Sequence, residues 1–351
     1  MTARLDPPHA GPPPQAGTPW RGGRAQVDPV PGTAAGPRFA ERVADAEFAA
    51  AWRLVRALPA GAASGLFRFG ADLATRRGGA GVAQLRANLA RVVPAATPAE
   101  VDALVREAMR SYARYWCEAF RLPSMDPADV HARMDPFFTG TGPFFEALDA
   151  GRGVVFAVPH SGNWDAAGVW LVEELRRRGL PAGFTTVAQR LRPESLYRRF
   201  VAYRELLGFE VVAAEDAVAA HRALTRRLRA GGVVCLVAER DITGTGVEVQ
   251  FLGEPARFPT GPARLAALTG AVLMPAYPHF RPGGWVVPIG EPVPVGDGSP
   301  LRGTGGTRAA VAEATQAIAD AFGRLIAQAP ADWHALQPIW TADHVARAEA
   351  G

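Results

Sequence analysis

The spacing of apolar positions changes partway along the chain. Up to about Phe120 they recur every three to five residues. Phe39, Val43, Phe48, Trp52 and Val55 predict a helix that Pro59 stops, and Leu85 and Leu89 mark a shorter one over Val82–Val93. Between them, Gly65-Leu66-Phe67-Arg68-Phe69-Gly70 sets aromatic residues beside arginine. Thr97-Pro98-Ala99-Glu100 then reads as a capping box with proline in the first turn. The helix it opens carries a wide apolar stripe from Val101 to Phe120, and Pro123 ends it.

After Gly151, solid apolar runs alternate with helical periods. Strands are predicted at Val154–Val158, Phe184–Ala188, Phe209–Val212, Val233–Ala238, Val247–Phe251, Val272–Tyr277 and Trp285–Ile289. Helices are predicted at Trp164–Arg178, Glu194–Leu207, Ala214–Arg229, Gly261–Thr269 and Thr307–Gln328. Gly179, Gly208 and Gly231 stand where helix ends favour a left-handed residue. The expected fold is α/β, a central mostly parallel sheet flanked by helices. No internal repeat is visible. The expected organisation is a Pro/Gly-rich disordered tail over 1–37, one domain over 38–345 and a short tail over 346–351.

Composition narrows the chemistry. All 38 Lys+Arg positions are arginine, for a formal net charge of +4. The absence of lysine removes a Walker-type phosphate loop, a protein kinase, a pyridoxal enzyme and any lysine nucleophile. Cys117 and Cys235 lack a zinc spacing and sit among apolar residues, so each is expected to be a small buried hydrophobe in a reduced, cytosolic protein. No signal peptide and no uncharged run of about 18 residues is found, so no membrane span is expected. The arginines are mixed with acids rather than striped, which gives no support to nucleic-acid binding.

Two predicted strands deliver charged side chains at their carboxyl ends, the edge where open α/β sheets bind ligands. The first runs into Pro159-His160-Ser161-Gly162-Asn163-Trp164-Asp165. A neutral imidazole just before a helix start can accept a proton. Asp165, five positions on, either reaches back to fix the tautomer of His160 or only favours the helix dipole. The second strand runs into Ala238-Glu239-Arg240-Asp241. If the strands are neighbours, Glu239 orients His160 and Arg240 faces an anionic substrate; otherwise the segment is a surface loop with a local ion pair. Thr260, before Gly261-Pro262, is an N-cap residue whose helix start either receives an anion or is merely structural. There is no Gly-x-Ser-x-Gly elbow, and no ligand spacing that favours a resident metal.

Five segments in order resemble the bacterial lipid A lauroyl/myristoyl acyltransferase family, in the branch that includes actinobacterial phosphatidylinositol mannoside acyltransferases. They are Ser111 to Pro123, the His-x4-Asp motif of His160 and Asp165, Ala238 to Asp241, Phe258 to Ala263, and Asp332 to Trp340. The resemblance covers about 38–345. It implies transfer of a long, palmitoyl-like acyl chain from acyl-CoA to a mannose hydroxyl of a phosphatidylinositol mannoside. That would take place on a peripheral protein at the cytoplasmic face of the cell membrane, with no cofactor besides the acyl-CoA co-substrate. It implies His160 as base, Glu239 as its supporting carboxylate and Asp165 as the motif's second member. Arg204 is implied near the site, and Arg240, Gln189, Asn163, Thr260 and His334 stand as substrate-binding candidates. The family pattern has glutamate where this chain has Gln189. Alternatives are a metal-assisted hydrolase using His160, Asp165 and Glu239, or a non-catalytic lipid-binding relative. For the N-terminal helices, Trp52, Phe67 and Phe69 beside Arg53, Arg56 and Arg68 fit either an interfacial surface on anionic lipid or core packing.

Overall fold

The computed structural model describes residues 52–190, 194–242, 244–296 and 305–349. The expected tail over 1–37 and the helix start at Phe39, Val43 and Phe48 lie outside the described residues. Helix α1 is described over 52–57, followed by α2 (Ala60–Arg77), α3 (Ala80–Val92) and α4 (Pro98–Arg121). The α2 helix escaped the sequence pattern because it carries three glycines, Gly61, Gly65 and Gly70, and buries only Ala63 and Ala71. The α4 helix begins as expected: Thr97 Oγ1 accepts from the Glu100 N–H and Glu100 Oε2 accepts from the Thr97 N–H at 2.7 Å. Such a cap stabilises a helix by about 1 kcal/mol.

The chain continues through α5 (Pro127–Met134), β1 (Phe138–Thr139) and α6 (Gly142–Asp149) into the strand–helix series. That series is β2 (Val154–Val158), α7 (Trp164–Arg177), β3 (Phe184–Ala188), α8 (Glu194–Leu206), β4 (Phe209–Ala213), α9 (Ala217–Arg229) and β5 (Val233–Val237). A hairpin of β6 (Val247–Phe251) and β7 (Glu254–Phe258) follows, then α10 (Gly261–Thr269) and β8 (Val272–Pro275). The last elements are β9 (His279–Arg281), β10 (Gly284–Pro288), α11 (Gly305–Ile326) and α12 (Thr341–Glu349). Helix α12 thus carries regular backbone into the segment expected to be a tail.

Five strands form one parallel sheet in the order β4-β3-β5-β2-β8. All five residues of β2 are buried, because a parallel sheet covered by helices on both faces has no solvent side. Val155, Ala157 and Val234 pack on one face with α3, α4, α10 and α11. Val154, Phe156, Val158 and Val233 pack on the other with α5 and α7. The connection after β2 leads across β5 to β3, and the chain after β5 leads back across β2 to β8. That reversal opens a crevice at the carboxyl ends of β2 and β5, where such sheets hold ligands. No helix among the described residues is long and apolar enough to cross a membrane.

Candidate active site

Strand register sets the central pair. Val158 lies beside Val237 at the ends of β2 and β5, and His160 and Glu239 each follow two residues later. The Ala238 N–H still donates to the Val158 carbonyl at 2.9 Å, so the two chains leave the sheet together. Glu239 is only 2% exposed. Its Oε1 accepts from the His160 backbone N–H at 3.0 Å and from His160 Nδ1. An ionised Glu239 therefore assigns the ring proton to Nδ1 and leaves the lone pair on Nε2. Burial alone would raise the Glu239 carboxyl, but the charge and hydrogen bonds of His160 outweigh it and hold the carboxyl below its usual range. The His160 side chain is 46% exposed and opens on a cavity of about 530 Å³, within the size range of ligand sites.

The turn that carries His160 is held on both sides. Gly162 has φ +45°, and a Cβ there would lie 2.5 Å from the Pro278 carbonyl oxygen, so the position needs glycine. The Gly162 N–H donates to the Asp332 carbonyl at 2.9 Å and the His334 N–H to the His160 carbonyl at 2.8 Å. The imidazole is thus fixed by backbone on one side and by Glu239 on the other.

Asp165 does not touch His160 in the way the motif spacing suggested. It is fully buried in the first turn of α7, where Arg204 Nε donates to its Oδ1 at 2.9 Å and the Tyr115 hydroxyl to its Oδ2 at 3.0 Å. Five residues of strand-to-helix turn carry the carboxylate inward, away from the ring. Burial opposes the charge on Arg204, but Asp165 more than restores it and raises the guanidinium above its usual range. The Arg204 guanidinium also lies 4.4 Å from the centre of the Trp164 ring, on the wall of the His160 cavity.

His334 comes to the same cavity from the far end of the chain. Its Nε2 lies 2.9 Å from Ser111 Oγ, whose own proton goes to Asp332 Oδ1 at 2.6 Å. Ser111 has one proton to give, so Nε2 of His334 is the donor and Nδ1 keeps the lone pair. Burial, reinforced by the nearby His160, lowers the His334 imidazole to about 3. Ser111 and Asp332 were present in the matching segments, but no local pattern announced their hydrogen bonds; only the fold brings positions 111 and 332 together.

The remaining candidates divide. Arg240 and Gln189 line the cavity, with Gln189 exposed just past the end of β3 and Arg240 donating through Nη1 to Gln337 Oε1. Asn163 is not among the lining residues. Its Oδ1 caps α7 by accepting from the Ala166 N–H at 3.0 Å, and its Nδ2 donates to Glu118 at 2.8 Å. Thr260 is not brought to the cavity either, and its side chain makes no capping bond. The physical reason is that α10 starts from the β6–β7 hairpin rather than from the carboxyl edge of the five-stranded sheet. The three groups of the metal alternative do not converge, since Asp165 is occupied by Arg204 and Tyr115. Among the described residues, the ligand-type side chains that do cluster are His131, Asp135 and Glu174, on α5, just beyond it and on α7.

Comparison with known proteins gives the same direction. The model of the family described as bacterial lipid A biosynthesis acyltransferase matches residues 41–342. A Mycolicibacterium smegmatis protein named phosphatidylinositol mannoside acyltransferase is 49% identical over 304 residues, which is 86% of this chain and 93% of that protein. A Mycobacterium tuberculosis protein of the same name is 48% identical over 303 residues, 85% of this chain and 89% of that protein.

Proposed function

The chain belongs to the bacterial lipid A biosynthesis acyltransferase family, and from that premise we propose that it moves a long acyl chain from acyl-CoA to a mannose hydroxyl of a phosphatidylinositol mannoside. The acceptor is proposed from the names of the two relatives. The observation that carries the mechanism is the His160–Glu239 pair at the mouth of a cavity with aromatic and aliphatic walls.

The steps follow from the tautomer. Nε2 of His160 takes the proton of the acceptor hydroxyl as that oxygen attacks the thioester carbonyl carbon. Glu239 stabilises the imidazolium that forms. The tetrahedral oxyanion collapses, the C–S bond breaks, and the departing thiolate takes the proton from Nε2. No covalent intermediate on the protein is needed, because a thiolate is a good leaving group. Arg240 meets the anionic parts of the donor, since the other arginine in the wall, Arg204, is occupied by Asp165. Nδ1 of His334 accepts from a second hydroxyl of the sugar and sets which oxygen faces His160. Trp116, Phe200, Leu236 and Val237, all lining the cavity, supply apolar surface for the acyl chain.

The proposed location is the cytoplasmic face of the membrane. Leu54, Leu66 and Phe69 are exposed on α1 and α2, at 57%, 52% and 66%, which suits an interfacial role. Trp52 and Phe67 instead pack against Phe120, with ring centres 5.0 and 6.2 Å away. Transfer of radiolabelled palmitate from palmitoyl-CoA to purified phosphatidylinositol mannosides tests the reading. Product that depends on His160 supports it, and no product with any mannoside acceptor overturns it.

A further inference from the structure

Across α4 from the His160 cavity lies a second one of about 770 Å³, between α2, α4 and the β9–β10 turn. Six arginines line it: Arg68, Arg110, Arg114, Arg121, Arg133 and Arg281. Two are neutralised. Arg110 holds Asp72 through two nitrogens, at 2.6 and 2.9 Å. Arg114 holds Glu118 at 2.7 Å and donates to the carbonyls of Arg281 and Gly284.

The other four make no ion pair with a carboxylate among the described residues. Arg121 donates only to the carbonyls of Val55 and Leu58, and Arg133 to that of Gly283 while lying 4.9 Å from the centre of the Trp285 ring. Arg281 lies 3.6 Å from the centre of the Phe137 ring, and its Nε is buried with no hydrogen-bond partner among the described residues. Arg68 stands exposed at the rim. Three acids share the wall: Glu107 is exposed and acts electrostatically on the already paired Arg110, and the other two are taken up by hydrogen bonds. Glu118 already accepts from Arg114, Asn163 and Trp285, and Asp332 accepts from Ser111 and the Phe280 N–H. Of these four cations in one concave wall, three are held by rings and carbonyls and Arg68 by neither, so their charge is left for an anion rather than for a carboxylate of the chain.

We propose that this cavity is a binding site for a phosphate ester, and that its source is the phosphodiester headgroup of an anionic membrane lipid. The lipid is favoured over a soluble nucleotide because Arg68 shares α2 with the exposed Leu66 and Phe69. Phosphate then sits among the arginines while the apolar residues beside it meet the acyl region. The proposal sharpens the membrane part of the function proposed above, but binding is read without turnover, so its outcome is independent of the transfer assay.

The test compares the full-length protein with Arg68→Gln/Arg133→Gln and with a control of equal charge change, Arg86→Gln/Arg226→Gln. The control arginines are exposed and paired elsewhere, with Asp102 and Glu210. Affinity is measured for phosphatidylcholine vesicles with and without phosphatidylglycerol, and for adenosine 3′,5′-bisphosphate. The expected result is a loss of about tenfold or more on anionic vesicles for the cavity variant, from roughly 1 kcal/mol per arginine near such a surface, with a change under about threefold for the control. Circular dichroism checks folding, and Arg68→Gln alone should show part of the loss. Equal losses in both variants, or none in either, overturn the site. Loss of the bisphosphate with vesicle binding intact keeps the phosphate chemistry and overturns the lipid as its source.

Discussion

Asp165 and Glu239 are both buried carboxylates, one on the helix that follows His160 and one against its ring, and they do opposite things with their charge. Asp165 accepts from Arg204 and Tyr115, so both its oxygens are matched and its partner cation is largely enclosed, its side chain 12% exposed. Glu239 places two hydrogen bonds on one oxygen, both from His160, and its Oε2 is buried with no partner among the described residues. A matched, enclosed ion pair holds a structure together. An incompletely matched acid behind a half-exposed ring holds charge in reserve for a proton arriving at the other side of that ring.

The contrast breaks most visibly at the pair that faces the cavity. His160→Ala should lower turnover by roughly 10³–10⁴-fold, the upper end for a general base. Its melting temperature should stay close to wild type, because the side chain is half exposed. Glu239→Gln should lower turnover by a similar order, since an amide can leave the ring in the wrong tautomer. Steady-state transfer kinetics read both. Turnover within tenfold of wild type in either variant would remove the proposed base or its support.

Asp165→Asn should act on the other coordinate. Removing one member of a buried ion pair leaves Arg204 uncompensated and costs about 3–5 kcal/mol of stability. Urea unfolding should show that loss, while the folded fraction keeps far more turnover than Glu239→Gln. The opposite order, an Asp165 variant as stable as wild type but inert, would mean that the two acids share the catalytic work after all.

The third effect belongs to pH. The His334 imidazole sits at about 3 in the fold and near 6.5 when unfolded. Between those values the unfolded chain binds a proton that the native state refuses. Its contribution is therefore complete above about pH 6.5 and is lost as pH falls toward about 3. His334→Asn removes this titration, so its stability should decline on acidification more gently than wild type, by up to about 1.4 kcal/mol per pH unit. Unfolding curves that run parallel for the two proteins would show that His334 is not held neutral.

The five strands of the parallel sheet and most helices were legible because apolar period and glycine punctuation are local signals, whereas the short β1 and β9 carried too few residues to show a pattern. Helix α2 was not, since its glycines and sparse burial leave no stripe to detect. Strand β7 was missed because the Gly253-Glu254-Pro255 turn reads as a loop until Val247–Phe251 pairs with it. His160 and Glu239 were legible as strand-end residues, and their contact followed once β2 and β5 proved adjacent. The partner of Asp165 was not legible: five positions of sequence separation say nothing about a side chain that turns inward to meet Arg204, thirty-nine residues away. The bond between Ser111 and His334 spans 223 positions and exists only in the fold.

The smallest effect concerns a third acid that is absent. Gln189 occupies a position where the family resemblance leads one to expect glutamate, and it sits exposed on the rim of the His160 cavity. A carboxylate there would face water, where unit charges interact by only about 1 kcal/mol even at 4 Å. It has no hydrogen bond with His160 or Glu239 to perturb. Gln189→Glu should therefore change turnover by less than about tenfold and shift acceptor affinity more than rate, because a rim carboxylate can accept from sugar hydroxyls without entering the proton path. Restoration of turnover by several orders of magnitude would mean that the carboxylate takes part in the chemistry, and that Glu239 alone is not a sufficient partner for the imidazole.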